Sequence, residues 1–202
     1  MIARNVLITD VSYEPVTDQQ ALDHLREDST NLTKIKPYLA AARVSVEQEM
    51  ISTKTTQATF ELRLDDWDSA AMYDGYITLP ACPLVSITSI KYDDVNNVEQ
   101  TLASSNYLAD TSSMPGRFKY VSSATLPSLY DKPNCVRIRY VAGYGASGAT
   151  DGGQSLVPQP IKAAVLMRLA ELYEVRTESV GGMVSPSSVA VQRLIAPYRI
   201  PC

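Results

Sequence analysis

The chain has 202 residues, 45% hydrophobic and 20% charged, with a single histidine and a net charge of −4. That length can bury a core of useful size in one domain, and the acidic balance argues against a broad surface for gripping phosphates. Cys82, Cys135 and Cys202 are far apart and form no C-x-x-C pair, so with His24 alone a Cys/His zinc site of the usual spacing cannot be built. The longest apolar run, residues 163–167, is far short of a membrane span. The first fifteen residues hold no stretch suited to a signal peptide, which suits a soluble protein that stays in the cytoplasm where it is made.

Residues 1–16 show no period and read as an extended lead-in. A first helix follows. Thr17 and Gln20 have capping-box spacing, Val16 can staple onto Ala21, and Ala21, Leu22 and Leu25 make one apolar stripe that ends near Asp28. His24 falls within this helix beside acidic neighbours and reads as a surface or interface residue and not as a ligand. A second helix over 35–51 carries Ile35, Leu39, Ala42, Val46 and Met50 on one face, with Pro37 in its first turn and Arg43 and Glu47 on the wet side.

At Thr55 the period changes to two. Ala58, Phe60, Leu62 and Leu64 alternate with Thr59, Glu61 and Arg63, the pattern of a half-buried antiparallel strand. Asp65, Asp66, Asp68 and Asp74 lack the order of a calcium loop and read as a solvated turn. Further strands are predicted at 76–79, 85–92, 98–102, 107–108, 117–121 and 136–141, joined by Asp, Asn, Pro and Gly turns into one antiparallel sheet. In the last of them Arg137 and Arg139 share a face, which is either plain exposed sheet or a match for an acidic partner.

Residues 143–156 are glycine-rich but lack GxxxxGK[ST], so the stretch around Gly143 and Tyr144 reads as a connection into a helix and not as a phosphate loop. The central helix spans 158–177. Ile161, Val165, Leu166, Leu169, Ala170, Leu172 and Tyr173 cover an arc of roughly 200°, with Arg168, Glu171 and Glu174 in the remainder and Lys162 snorkelling from the first turn. An arc so wide touches something on two sides: two layers of its own core, or its own core and a neighbouring subunit. A short helix over 187–196 stops at Pro197, and residues 197–202 form an extended tail. The tail end is basic, with five Lys/Arg against three Glu over 158–202.

No nucleophile elbow, no paired cysteine and a single histidine leave no catalytic constellation, so the expectation is a protein that is not an enzyme and uses no cofactor or metal. Function then resides in surfaces. Residues 79–94 (LPACPLVSITSIKYDD), 140–145 (YVAGYG) leading to 157–176 (VPQPIKAAVLMRLAELYEVR), and 191–199 (VQRLIAPYR) resemble the head-tail connector family of tailed bacteriophages. The helix pair around LDHLREDSTN and IKPYLAAARVSVEQEM resembles that family's opening in the same order.

The resemblance implies an α+β fold: an antiparallel helical bundle with a β-rich insertion between the second helix and the central helix. The chain would be a single domain over 1–202, with a helical body at 17–54 and 157–197, the insertion at 55–145 and a docking tail at 197–202. It implies a structural adaptor in the virion neck, a ring of about twelve copies under the portal that completes the DNA-filled head. Its partners would be further copies of itself, the portal protein, and the next neck or tail protein (stopper or tail terminator). DNA would pass through the channel without specific binding, and no membrane is involved. By the same resemblance Arg193, Tyr198, Arg199 and Ile200 are candidates for contact with the portal, against the alternative that they pack within their own chain. A monomeric phage or host protein-binding module is the reading from another class, and a carboxylate hydrolase, which would need an acidic cleft, is a third.

Overall fold

The structure is a computed structural model that describes residues 4–11, 13–67, 72–73, 75–145, 153–174 and 189–200. Its helices are α1 (Asp18–Leu25), α2 (Leu32–Met50), α3 (Gln159–Glu174) and α4 (Val189–Ile195). Its strands are β1 (Arg4–Thr9), β2 (Ala58–Leu64), β3 (Met72–Tyr73), β4 (Tyr76–Thr78), β5 (Leu84–Asp93), β6 (Glu99–Leu102), β7 (Tyr107–Asp110), β8 (Arg117–Tyr120) and β9 (Val136–Ala142). The fold is α+β. Contacts group the described residues into two units, one of residues 4–10 with 57–143, the other of residues 11–56 with 144–200.

The strand-rich unit holds two antiparallel sheets where the sequence predicts one. The first has the order β1-β2-β9-β5-β6 and the second β3-β4-β8-β7. Alternation in β9 buries Val136, Ile138, Tyr140 and Ala142 and leaves Arg137, Arg139 and Val141 on the wetter face. Phe60, Leu62 and Leu64 of β2 and Ile90 of β5 join that buried face. Trp67 lies against Tyr92 at 5.4 Å and Tyr120 at 5.6 Å between ring centroids, and its Nε1 donates to the Pro127 carbonyl. Aromatic contacts of this kind tie the two sheets together, because one ring meets a residue from each.

The expected lead-in is in fact strand β1, at the edge of the first sheet. Asn5 receives a hydrogen bond from the Tyr140 hydroxyl, which in turn accepts from the Ala81 amide. Nearly every residue of β1 is exposed, so it leaves no alternation in the sequence. Cys82 and Cys135 are buried and not disulfide-bonded, and the Cys135 thiol donates to the Asp65 carbonyl. Asp65 and Asn134 close the loop as expected of a turn, while Asp68 and Asp74 lie outside the described residues.

In the helical unit α1 has the predicted capping box, with Thr17 and Gln20 each bonding the other's backbone amide, and it ends early at Arg26 in the left-handed region. Helix α2 begins three residues before the predicted start, after a single 3-10 turn. Pro37 therefore falls in its second turn, where it leaves one carbonyl without an intrahelical donor.

Helix α3 is the axis of this unit. Its buried Ile161, Ala164, Val165 and Leu169 share one core with Ile35, Leu39, Ala42, Val46 and Met50 of α2, Ala21 and Leu22 of α1, and Val191 and Ile195 of α4. Leu166, Leu172 and Tyr173, the flanks of its wide arc, are packed against the same core. Both sides of α3 are thus packed against its own chain, although Leu166, Met167, Ala170, Leu172 and Tyr173 stay half-exposed. Residues 175–177 of the predicted helix and 187–188 of the following one lie outside the described residues.

Three charged residues assigned to water are buried. Arg168, 7% exposed, reaches Glu49 with one guanidinium nitrogen and Glu171 at 2.7 Å with another. Arg43 and Glu47, at 5% and 6%, pair with each other, and Arg43 also bonds Glu14 at 3.0 Å. Lys162 is buried too, at 7%.

Glu47 accepts from the Thr55 amide at 3.0 Å and the Thr55 hydroxyl at 2.6 Å, so it clamps the chain where it leaves the helical unit. Beside it the Lys54 carbonyl accepts from the Tyr144 amide, where the chain returns. Glu47→Ala strands a buried amide and two cations. It is expected to lower the unfolding free energy by about 3 kcal/mol in a denaturant titration, with Glu47→Gln, which keeps an acceptor oxygen, costing less.

Candidate assembly surfaces

Among the described residues no group of three His, Cys, Asp or Glu side chains could hold a metal, and no helix is long and apolar enough to cross a membrane. A cleft of about 560 Å³ lies beside Tyr13, Glu14, Leu39 and Gln154. Its charges are matched within the chain, Lys36 with Asp18 at 3.1 Å and Glu14 with Arg43, which makes it a packed seam more than a constellation for chemistry. His24 is exposed near the end of α1.

The candidate tail residues divide. Arg193 is exposed in the last turn of α4, where a cation suits the negative end of the helix. Of the other three, Tyr198 ends a 3-10 turn at Ala196–Tyr198 and Arg199 and Ile200 follow it, and all three lie on the end of α2. The Tyr198 carbonyl accepts from the Thr53 hydroxyl at 2.6 Å, and its ring meets Tyr144 edge-on at 6.4 Å. Arg199 Nε donates to the Glu49 carbonyl at 2.8 Å, and Ile200 forms a parallel bridge with Ile51. Tyr198 and Ile200 are half-buried by these contacts, whereas Arg199 stays exposed.

The glycine-loop residues nearest the site have a packing role. Gly143 donates to the Pro83 carbonyl. Gly145 has a φ of +102°, and a Cβ there would stand 2.0 Å from the Tyr13 hydroxyl, so only glycine fits. Residues 146–152 lie outside the described residues.

A surface that sequence reading missed runs along the outside of α2. Pro37, Ala41, Val44, Gln48 and Ile51 follow a 4-3-4-3 spacing, all are exposed, and none is charged. That is the spacing of a helix-pairing seam. Val44 is 41% exposed and Ile51 57%. Ile51, which ends α2, has a φ of +71°, a conformation costly for a β-branched side chain where glycine is usual. The signal was present in the residues, but the stronger core stripe of the same helix hid it.

The sheet face of Arg137 and Arg139 finds its acids within the chain. Arg137 makes a two-pronged pair with Asp93 at 2.7 and 2.8 Å and also meets Glu99, while Arg139 bonds Glu61. Hydrogen bonds from Arg137 outweigh burial at Asp93 and hold its carboxyl well below the usual carboxylate range. Burial raises the Glu61 carboxyl, but Arg139 and Arg63 together leave it lowered.

Asp93 has its lowered value only when folded. Its ionised form therefore stabilises the fold above the unfolded pKa of about 3.9, and that contribution fades as pH falls toward the folded value. Stability measured from about pH 5 downward should fall steeply in the native chain and more gently in Asp93→Asn.

No family model and no curated protein matches the chain. Solved structures do. The order of elements, two helices, a strand-rich segment and a return to helices, is shared with neck chains of a phage-like particle, which is consistent with the resemblance seen in the sequence. More particularly, it is similar to a chain in the neck of an empty gene transfer agent particle computed with C6 symmetry. That match has a TM-score of 0.75 and 23% identity, covering 98% of this chain and 96% of that one. A chain in the virion of the native gene transfer agent particle matches with a TM-score of 0.70 and 23% identity, over 94% of each. A third, in the neck of the native particle computed with C12 symmetry, gives 0.64 and 25% identity, over 96% of this chain and 94% of that one. What is shared at these identities is the fold.

Proposed function

We propose that the chain is a structural head-tail connector of a phage-like particle. In this reading about twelve copies form a ring under the portal, complete the DNA-filled head, and offer the channel and the attachment surface for the tail. The observation that carries it is the near full-length match to neck chains, over 98% of this chain and 96% of the neighbour. Those neighbours stand in necks computed with six-fold and twelve-fold symmetry, which supports a cyclic assembly here. The role is architectural and not enzymatic, and DNA passes without sequence-specific contact. The chain acts in the virion neck and waits in the host cytoplasm before assembly. As the ring body we take the helical unit, and as its insertion the strand-rich one.

The uncharged seam of α2 is the surface we assign to contact between copies. Among the described residues it is an exposed helix face on the unit that would form the ring, and it ends at Ile51, a large aliphatic residue that is 57% exposed beside Ile200 of the tail. Portal contact we assign to Arg193 and to the free edge of Arg199, both exposed, with Tyr198 and Ile200 setting the position of the tail.

Light scattering after size-exclusion chromatography, with the matching portal ring present, tests this directly. The native chain should co-elute as a multi-copy ring. Arg193→Glu with Arg199→Glu should not join the portal although it folds. A native chain that never associates with the portal would contradict the reading and favour a monomeric binding module.

The seam makes a separate prediction. Ile51→Gly relieves the positive-φ strain and should raise stability by about 1 kcal/mol in thermal or denaturant unfolding. It should at the same time weaken ring formation, as should Val44→Asp. Ring formation unchanged in both would remove the seam from the interface.

A further inference from the structure

The solvent face of the first sheet carries a charge pattern that folding alone does not call for. Register across four neighbouring strands sets Arg4 opposite Arg63, Arg63 opposite Arg137, and Arg137 opposite Lys91. With strands about 4.8 Å apart, this is a row of four cations about 14 Å long. Like charges directly opposite each other destabilise a sheet. Arg139 adds a fifth cation two residues along β9, and Lys132 a sixth, 2.9 Å from Asp93.

Three carboxylates stand against these six, each shared between two cations. Glu61 serves Arg63 and Arg139, Asp93 serves Arg137 and Lys132, and Glu99 serves Arg137 and Lys91. All three are held in the ionised form by these partners, and the face still keeps a surplus of three positive charges in a chain whose net charge is −4. Glu61 also fixes the arginines it holds, Arg63 through Nε and Arg139 through one terminal nitrogen, each at 2.9 Å. Guanidiniums set in place this way present their remaining donors outward at little entropic cost.

We propose that this face docks the acidic first-helix segment, residues 18–28, of a second copy of this chain. The proposal rests on the ring reading above and identifies one of its contacts. Asp18, Asp23, Glu27 and Asp28 against Arg26 give that segment a charge of −3 with His24 neutral, or −2 with Lys36, which pairs with Asp18, opposite in sign to the surplus on the sheet. Eight helical residues are about 12 Å long, which matches the row.

A nucleic acid would also meet the row with negative charge. The net charge of −4 opposes a long polyanion over the whole chain, however, and the row is only about 14 Å long, which a short acidic helix matches in length and sign. Contact between two unlike faces of the same chain is the heterologous kind that closes into a ring.

The test is a charge swap read by ring formation on the portal, with thermal unfolding as the fold control. Arg4→Glu with Lys91→Glu, and separately Asp23→Lys with Asp28→Lys, should each lower the yield of ring at least about tenfold at low salt. All four changes in one chain should restore it, because the reversed faces again attract. Either double variant assembling as well as the native chain would overturn the proposal. Loss in the sheet variant with no recovery in the fourfold variant would overturn it too, and if duplex DNA binding, read by fluorescence polarisation, vanished with the same sheet variant, the face would pass to nucleic acid. Failure of the native chain itself to form a ring would instead strike the connector reading and this proposal together.

Discussion

Everything in the helical unit follows from the need to cover α3. Its apolar arc is about twice what a surface helix exposes to a core, so one partner helix cannot bury it. The chain supplies three: α1 and α2 from before the strand-rich segment and α4 from after it. Because these come from distant parts of the sequence, the fold closes only when the chain leaves at Thr55 and returns at Tyr144. Both crossings are fixed, the first by Glu47 and the second by the Lys54 carbonyl beside it. The strand-rich segment can therefore form a unit with its own core.

The same closure decides which surfaces are left to make contacts. With the buried stripe of α3 packed by its own chain, a spare apolar face in the described helical unit is on α2, where Val44 and Ile51 stand in water along a seam without charge. The tail lies against the end of that seam, through Arg199 on the Glu49 carbonyl and Ile200 on Ile51. In the other unit the first sheet keeps a buried aliphatic face and places its charges outward. Each unit thus contributes a surface of distinct chemistry, apolar in one and electrostatic in the other. A subunit that must find identical neighbours in one orientation gains specificity from such a pairing, since burial favours contact and charge register selects the pose.

Much of this was legible in the residues. The capping box at Thr17, the core stripes of α2 and α3, and the alternation in β2 and β9 are local patterns, and the structure has them where periodicity puts them. What escaped was non-local. Strand β1 is recognisable only by its pairing with β2, because an edge strand wet on nearly every residue carries no period. Arg43, Glu47 and Arg168 look like solvated charges in a helical sequence, and only their partners from Glu14, Thr55 and Glu49 make them interior. The row of cations across four strands is likewise invisible in one dimension, since its members are separated by up to 133 positions and meet through register alone.

Electron cryomicroscopy of the chain bound to its portal would test the central claim most directly. The account predicts a closed ring of repeated copies under the portal, with the outer stripe of α2 buried against the next subunit. Density for isolated single copies on the portal, or a ring whose α2 seam faces solvent, would contradict it.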